Sequence, residues 1–314
     1  MIARPLAGLA ALLTLGATPP VALSQTPAGP ATATPAAPAA PAPVTVDADP
    51  ALWRVKDRDT TIYLFGTIHA LRPGLGWFDE AVAKAFAESG EIVVEMVEPE
   101  GTNRRDGIVQ RAVAKDATPL TQKLPADKRE AFAAALKGVG LPADGLDRFQ
   151  PWFAAVTLVQ APMGQLGYKA EEGVERRIAA AAKAAGKPMI GLETFEQQIG
   201  FLANLSDQAQ MRFLVSTVDE LPDTGKVFAE MIDSWSKGDP DRLAALMNDT
   251  LKDEPEVEKT LLTDRNKAWA GWIAERMKRP GTVFLAVGAG HLAGPNSVQA
   301  QLKGYRLDAK RVRY

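Results

Sequence analysis

Two histidines occur in the 314 residues of the chain, and both stand three residues after a glycine and four before a proline. One is His69 in Gly66-Thr67-Ile68-His69 with Pro73, the other His291 in Gly288-Ala289-Gly290-His291 with Pro295. With 26 glycines available, a glycine precedes a given histidine at that spacing by chance about one time in twelve, and both far less often, so the pair reads as one site. Each histidine follows an apolar run, residues 61–65 or 282–287, and glycines there permit tight turns and close backbone approach. Two imidazoles with one or two carboxylates make a ligand set for zinc, manganese, cobalt or iron that leaves positions open to water. The same groups can also act without a metal, as general acid and base.

Three further positions complete the candidate set. Glu95 lies inside the apolar run 92–97, where an ionised carboxylate is costly unless it has a partner. Glu193 ends a second short apolar run, residues 189–192; it reads equally as an acid favoured by the dipole of the helix behind Thr194. Arg265 and Asn266 lie one turn before Trp269 on a helical stretch. They are the expected substrate-binding pair, with the guanidinium offered to a carboxylate or carbonyl and Arg265 also expected, with Glu95, to be catalytic, although most helix arginines are simply solvated. In the metal reading His69, His291, Glu95 and Glu193 are the ligands, Glu95 being either a third ligand or the general base. The ion would be manganese, cobalt or zinc. The substrate would be a peptide or another small molecule.

The elements that must position these groups follow from periodicity and turn residues. Residues 53–56 and 61–65 flank the turn Asp57-Arg58-Asp59 as a hairpin whose second strand delivers His69. Residues 79–89 carry apolar positions at helical spacing, with Gly90 as the expected C-cap, and residues 91–97 form the next strand. A parallel crossover of this length would bring Glu95 beside the strand that carries His69. Helices are expected within 103–167, with breaks at Pro119, Pro125, 138–142 and Pro151, and over 171–185. Four more are expected over 194–221, 225–237, 239–249 and 256–278. Residues 282–287 are the most continuous apolar strand, as befits a sheet centre, and 296–304 and 305–312 close the chain as a helix and a strand. The fold class is therefore α/β and helix-rich, with strand–helix–strand units and two Gly-x-x-His strand ends facing one site. A pseudo-twofold axis would set one histidine against the other across a cleft.

Composition narrows the function class. With 46% hydrophobic residues there is ample material for a core, and a formal charge of −2 gives neither a nucleic-acid footprint nor a polybasic membrane signal. Residues 1–24 have the charged start, short apolar centre and small-residue end of a secretory leader; the alternative is a retained anchor. Residues 25–49 are an Ala/Pro/Thr tether that lacks the apolar area to fold, and 50–314 form the domain. The expected location is periplasmic or secreted, with no stable membrane span once the leader is removed. The absence of cysteine rules out disulfides, a thiolate nucleophile and lipoprotein attachment. No phosphate-cradling loop, dinucleotide fingerprint or Gly-x-Ser-x-Gly elbow is present.

The chain resembles the TraB/GumN/PrgY family, which is related to the TIKI metalloproteases and more distantly to the erythromycin esterase and ChaN-like proteins. The resemblance runs over nearly all of 53–314. It rests on Tyr63-Leu-Phe-Gly-Thr-Ile-His69, Val94-Glu95, Gly186-Lys-Pro-Met-Ile-Gly-Leu-Glu-Thr194 with Gln197-Gln198, Arg265-Asn266-Lys-Ala-Trp269 and Val287-Gly-Ala-Gly-His-Leu-Ala-Gly294. It implies that the two Gly-x-x-His motifs and a glutamate form one site, here His69, His291 and Glu95. The chain departs from the pattern at Gly173-Val174-Glu175, where Gly-Val-Asp is expected. The resemblance implies a metal-dependent hydrolase of peptide or amide-like bonds. Its alternative is a non-catalytic protein that sequesters a peptide or cofactor, linked to polysaccharide or signal-peptide handling.

Overall fold

A computed structural model of the chain describes residues 46–97, 104–248 and 254–314. The strands are β1 (Val46–Asp47), β2 (Leu52–Lys56), β3 (Thr60–Thr67), β4 (Leu75–Gly76), β5 (Glu91–Val94), β6 (Met189–Gly191), β7 (Gly281–Gly288) and β8 (Lys310–Val312). Six of them form one mixed sheet in the order β6-β5-β7-β3-β2-β8, and β1 pairs with β4 apart from it. The run β6, β5, β7, β3 is parallel throughout, whereas β2 is antiparallel to both β3 and β8. The expected hairpin is β2–β3, and the long apolar strand β7 is central, flanked by β3 and β5. That order corrects one expectation. Glu95 follows a strand parallel to β3, but β7 lies between them, so Glu95 neighbours the strand of His291 rather than that of His69.

The sheet is covered on both faces, which explains why β3, β5 and β7 read as nearly unbroken apolar runs. Alternation then assigns side chains to faces. Tyr63, Phe65, Ile92, Val94, Phe284 and Ala286 join the larger core, with Trp77 and Trp152. Ile62, Leu64, Val93, Val283, Leu285 and Val287 join the smaller one. The helices of eight residues or more are α1 (Glu80–Glu88), α2 (Arg104–Ala112), α3 (Arg129–Gly138), α4 (Pro151–Gln165), α5 (Val174–Ala184), α6 (Phe195–Ala203), α7 (Asp207–Glu220), α8 (Thr224–Ser236), α9 (Pro240–Asn248) and α10 (Asp264–Arg276). Helix α10 covers the smaller core with Trp269, Ala270 and Ile273, which places its inward stripe over the face that Val93, and two residues later Glu95, point to.

Local chemistry shifts several boundaries. Gly90 does not cap α1 in a left-handed turn; Ser89 ends it in extended conformation, and Gly90 N–H donates to Thr282 O at 2.9 Å, joining the sheet. The stretch 194–221 is two helices because Ser206 starts a new one, its hydroxyl accepting from Ala209 N–H at 3.2 Å. The stretch 256–278 begins as the short helix Pro255–Glu258 and passes through a five-residue π turn, Lys259–Thr263, before α10. The leader of residues 1–24 and the tether up to residue 45 lie outside the described residues; β1 and the buried Ala48 pack against the domain. Among the described residues, no helix is long and apolar enough to cross a membrane.

Candidate functional site

Strands β3 and β7 run parallel and in register, with Gly66 opposite Val287 and Thr67 opposite Gly288. The two Gly-x-x-His turns therefore stand side by side at one end of the sheet, related by a step across it and not by a twofold axis. The one-residue offset is filled by a close approach: a Cβ on Gly66 would lie 3.0 Å from Ala289 Cα. Gly66 O also accepts from the Trp235 indole at 2.8 Å, which fixes this turn against the core.

His291 lies in the turn Ala289–Leu292 and is fully buried. Its Nε2 is 3.0 Å from Arg265 Nη1 and its Nδ1 is 2.6 Å from Asn266 Oδ1. A guanidinium can only donate, so Nε2 must accept, and the proton is on Nδ1, donated to Asn266. Asn266 Nδ2 donates in turn to Asn296 O at 2.8 Å, which fixes the amide orientation this tautomer requires. Burial, the Arg265 charge and His69 all push the His291 pKa well below its ordinary value, so the ring is neutral.

Arg265 is the centre of this network. Its Nε donates to Glu193 Oε1 at 2.8 Å, and Nη2 to Glu95 Oε2 at 2.7 Å and Glu193 Oε2 at 2.8 Å. Nη1 donates to Leu261 O at 3.3 Å as well as to His291, so all five N–H groups have a partner. The guanidinium lies 4.7 Å from the Trp269 ring centroid and 5.1 Å from that of Phe201. Burial opposes its charge, but Glu95 and Glu193 outweigh burial and raise its pKa. Glu95 Oε1 accepts from Gly288 N–H at 2.7 Å, tying β5 to the end of β7, and Gln198 Nε2 reaches Glu95 at 3.3 Å and Glu193 at 3.2 Å. Burial, with the Glu95 charge, lifts the Glu193 pKa against the pull of Arg265. Thr194 caps α6 in a reciprocal box with Gln197, so Glu193 is turned to Arg265 and the capping falls to its neighbour.

His69 has a different setting. Its turn is clamped by the segment before α5: Val174 N–H donates to Ile68 O at 3.0 Å, and Lys169 and Leu71 bridge through their backbones. Gly173 packs so closely that a Cβ there would lie 2.2 Å from His69 O. Glu175, in the first turn of α5, meets His69 Nδ1 at 2.5 Å, and the two side chains keep 15% and 20% of their exposure, against none for His291. Burial disfavours ionised Glu175, but the His69 charge and hydrogen bonds, with help from Thr67, outweigh it and hold its carboxyl below the usual range.

The structure thus gathers Glu95, Glu193, Arg265, Asn266 and His291 into one buried network, with the His69–Glu175 pair beside it. Arg265 and Asn266 face inward with every polar group engaged, so neither presents itself to a substrate. The sequence carried a signal for this: Arg265 shares an i, i+4, i+8 stripe with the core residues Trp269 and Ile273. Glu175 went unassigned because only the fold joins it to His69. A shared manganese, cobalt or zinc ion does not fit this arrangement, because the lone pairs it needs on Glu95, Glu193 and His291 Nε2 already face the guanidinium. Among the described residues, no group of three or more His, Asp or Glu side chains is placed to hold an ion.

The family model of TraB/PrgY/gumN matches residues 51–309. An uncharacterized protein, YbaP, of Escherichia coli (strain K12) is 30% identical over 155 residues, covering 49% of this chain and 57% of that relative. This chain therefore spans little more than half of that curated relative. An uncharacterized protein of Treponema pallidum (strain Nichols) is 21% identical over 272 residues, 81% of this chain and 80% of its own length. No solved structure matches. With the matched segment running from the first strand of the sheet almost to the last, the chain belongs to the TraB/PrgY/gumN family.

Proposed function

We propose that this chain is an exported hydrolase of peptide or amide-like bonds in which His69, oriented by Glu175, is the general base. The observation that carries the reading is the 2.5 Å contact between His69 Nδ1 and Glu175 at a strand end, where the His69 side chain keeps 15% of its exposure and its ring nitrogens are buried. An ionised carboxylate on Nδ1 holds a proton there, so in the neutral ring, the form that acts as base, the lone pair is on Nε2. Nε2 takes a proton from water as the oxygen attacks the scissile carbonyl carbon. The resulting imidazolium is stabilised by Glu175. When the tetrahedral adduct collapses, the C–N bond breaks and the same proton passes to the leaving nitrogen. The network below does not meet substrate; it fixes the ends of β5 and β7, against which the β3 turn packs. A periplasmic or secreted location rests on the leader-like pattern of residues 1–24.

The second reading, a protein that sequesters a peptide or cofactor, is favoured by one observation: five of the six candidate side chains, all but His69, are turned inward. A panel of peptides and small amides incubated with the purified full chain separates the two. Turnover that falls about 10²–10⁴-fold in His69→Ala supports the general base. Binding without turnover, or turnover indifferent to His69→Ala, favours the second.

A further inference from the structure

We infer that Arg265 is the resident cation of the buried carboxylate cluster, and that Glu95, Glu193 and His291 accept a divalent metal only once the guanidinium is removed. A metal at this place would need unprotonated lone pairs converging on an open point. Those lone pairs are there, but they converge on Arg265: Glu193 through two oxygens, Glu95 through Oε2, His291 through Nε2. The remaining atoms offer no alternative, since Glu95 Oε1 is held by Gly288 N–H and His291 Nδ1 donates to Asn266. A planar fork fits two carboxylates and an imidazole edge-on in a way that a compact ion cannot share. Nor can the fork swing aside cheaply, because Trp269 and Phe201 pack on it and Leu261 O binds it from the preceding turn. His69, the fourth ligand a shared ion would require, is instead paired with Glu175. The donor set of a metal centre is thus occupied by a side chain of its own protein. This inference does not depend on the hydrolase reading.

The test uses purified full chain without a histidine tag, titrated with manganese, cobalt and zinc and followed by bound-metal analysis and by thermal melting. In the wild-type chain, whatever ion binds should do so with an affinity unchanged by Glu95→Gln or Glu193→Gln. A wild-type site that weakens tenfold or more in either variant overturns the inference. Arg265→Ala should gain about one ion per chain, with a melting temperature that rises on metal addition, and adding Glu95→Gln should abolish both. Should the alanine variant fail to fold, Arg265→Met fills the space without charge and carries the same expectation. Either variant refolding only when an ion is supplied is a supporting result. A folded variant that binds no ion, or two variants that no ion rescues, overturns the second half of the inference.

Discussion

The two Gly-x-x-His turns share a formula and a sheet edge, yet they hold histidines of opposite character. His291 is sealed, neutral and held at both nitrogens by Arg265 and Asn266, while His69 keeps 15% of its side-chain exposure and meets the Glu175 carboxylate through Nδ1. The difference comes from what lies across from each turn. Helix α10 lies over the β7 end and supplies Arg265 and Asn266 at consecutive positions. The start of α5 lies against the β3 end and supplies one acid. A motif fixes the backbone that delivers a side chain; the element packed against it decides whether that side chain reacts or supports.

The contrast can be broken most sharply by substitution. His69→Ala and Glu175→Gln should each cut any hydrolysis by about 10²–10⁴-fold while shifting stability by less than about 1 kcal/mol, measured as turnover beside urea denaturation. An equal loss of folding in both would mean that this turn, too, is structural. Arg265→Ala should do the reverse, removing about 3–5 kcal/mol of stability by leaving two carboxylates buried without their cation. Denaturant midpoints would show it, and a loss under about 1 kcal/mol would contradict the view of α10 as the clamp.

Acid should separate the turns as well. The folded pKa of His291 is depressed, so the unfolded chain binds the extra proton; stability is complete above about pH 6.5 and falls as pH drops below it, by up to about 1.4 kcal/mol per unit. Glu175, also depressed, adds a loss only in the lower window beneath its ordinary 4.5. Glu193, being raised, works the other way, stabilising the fold as pH falls towards 4.5. The difference between wild type and His291→Gln in melts from pH 7 to 5.5 isolates the first contribution, and identical profiles would refute it. The smallest effect expected is Gly66→Ala. Its Cβ would press on Ala289 at 3.0 Å, and forcing the two turns apart should cost about 1 kcal/mol or somewhat more.

Much of this was legible in the residues. The hairpin, the centrality of β7 and the strand-end placement of both histidines follow from alternation, turn residues and an unbroken apolar run. Glu95 was found by the same logic, a charge where only apolar side chains fit. Arg265 was misread because its charge was weighed above its position on the stripe with Trp269 and Ile273. The twofold relation failed because sequence similarity between two segments does not state how they pair. Glu175 stood out only as a departure from the Gly-Val-Asp of the family pattern: its partner lies more than a hundred positions earlier, and only the docking of α5 on the β3 turn unites them.

The sheet order has a consequence for how the molecule comes into being. Strand β7 inserts between β3 and β5, so Thr60 pairs with Gly281 and Val94 with Ala286. The early strands can form their hairpin at once, but their shared neighbour begins only at Gly281. Until then β3 and β5 have no common partner and Glu95 no Gly288 to receive. Contacts this distant in sequence make assembly slow, and the half-made chain exposes apolar strand edges. A product truncated or stalled before β7 therefore lacks His291 and the Gly288 N–H, and the buried network assembles only when that strand arrives.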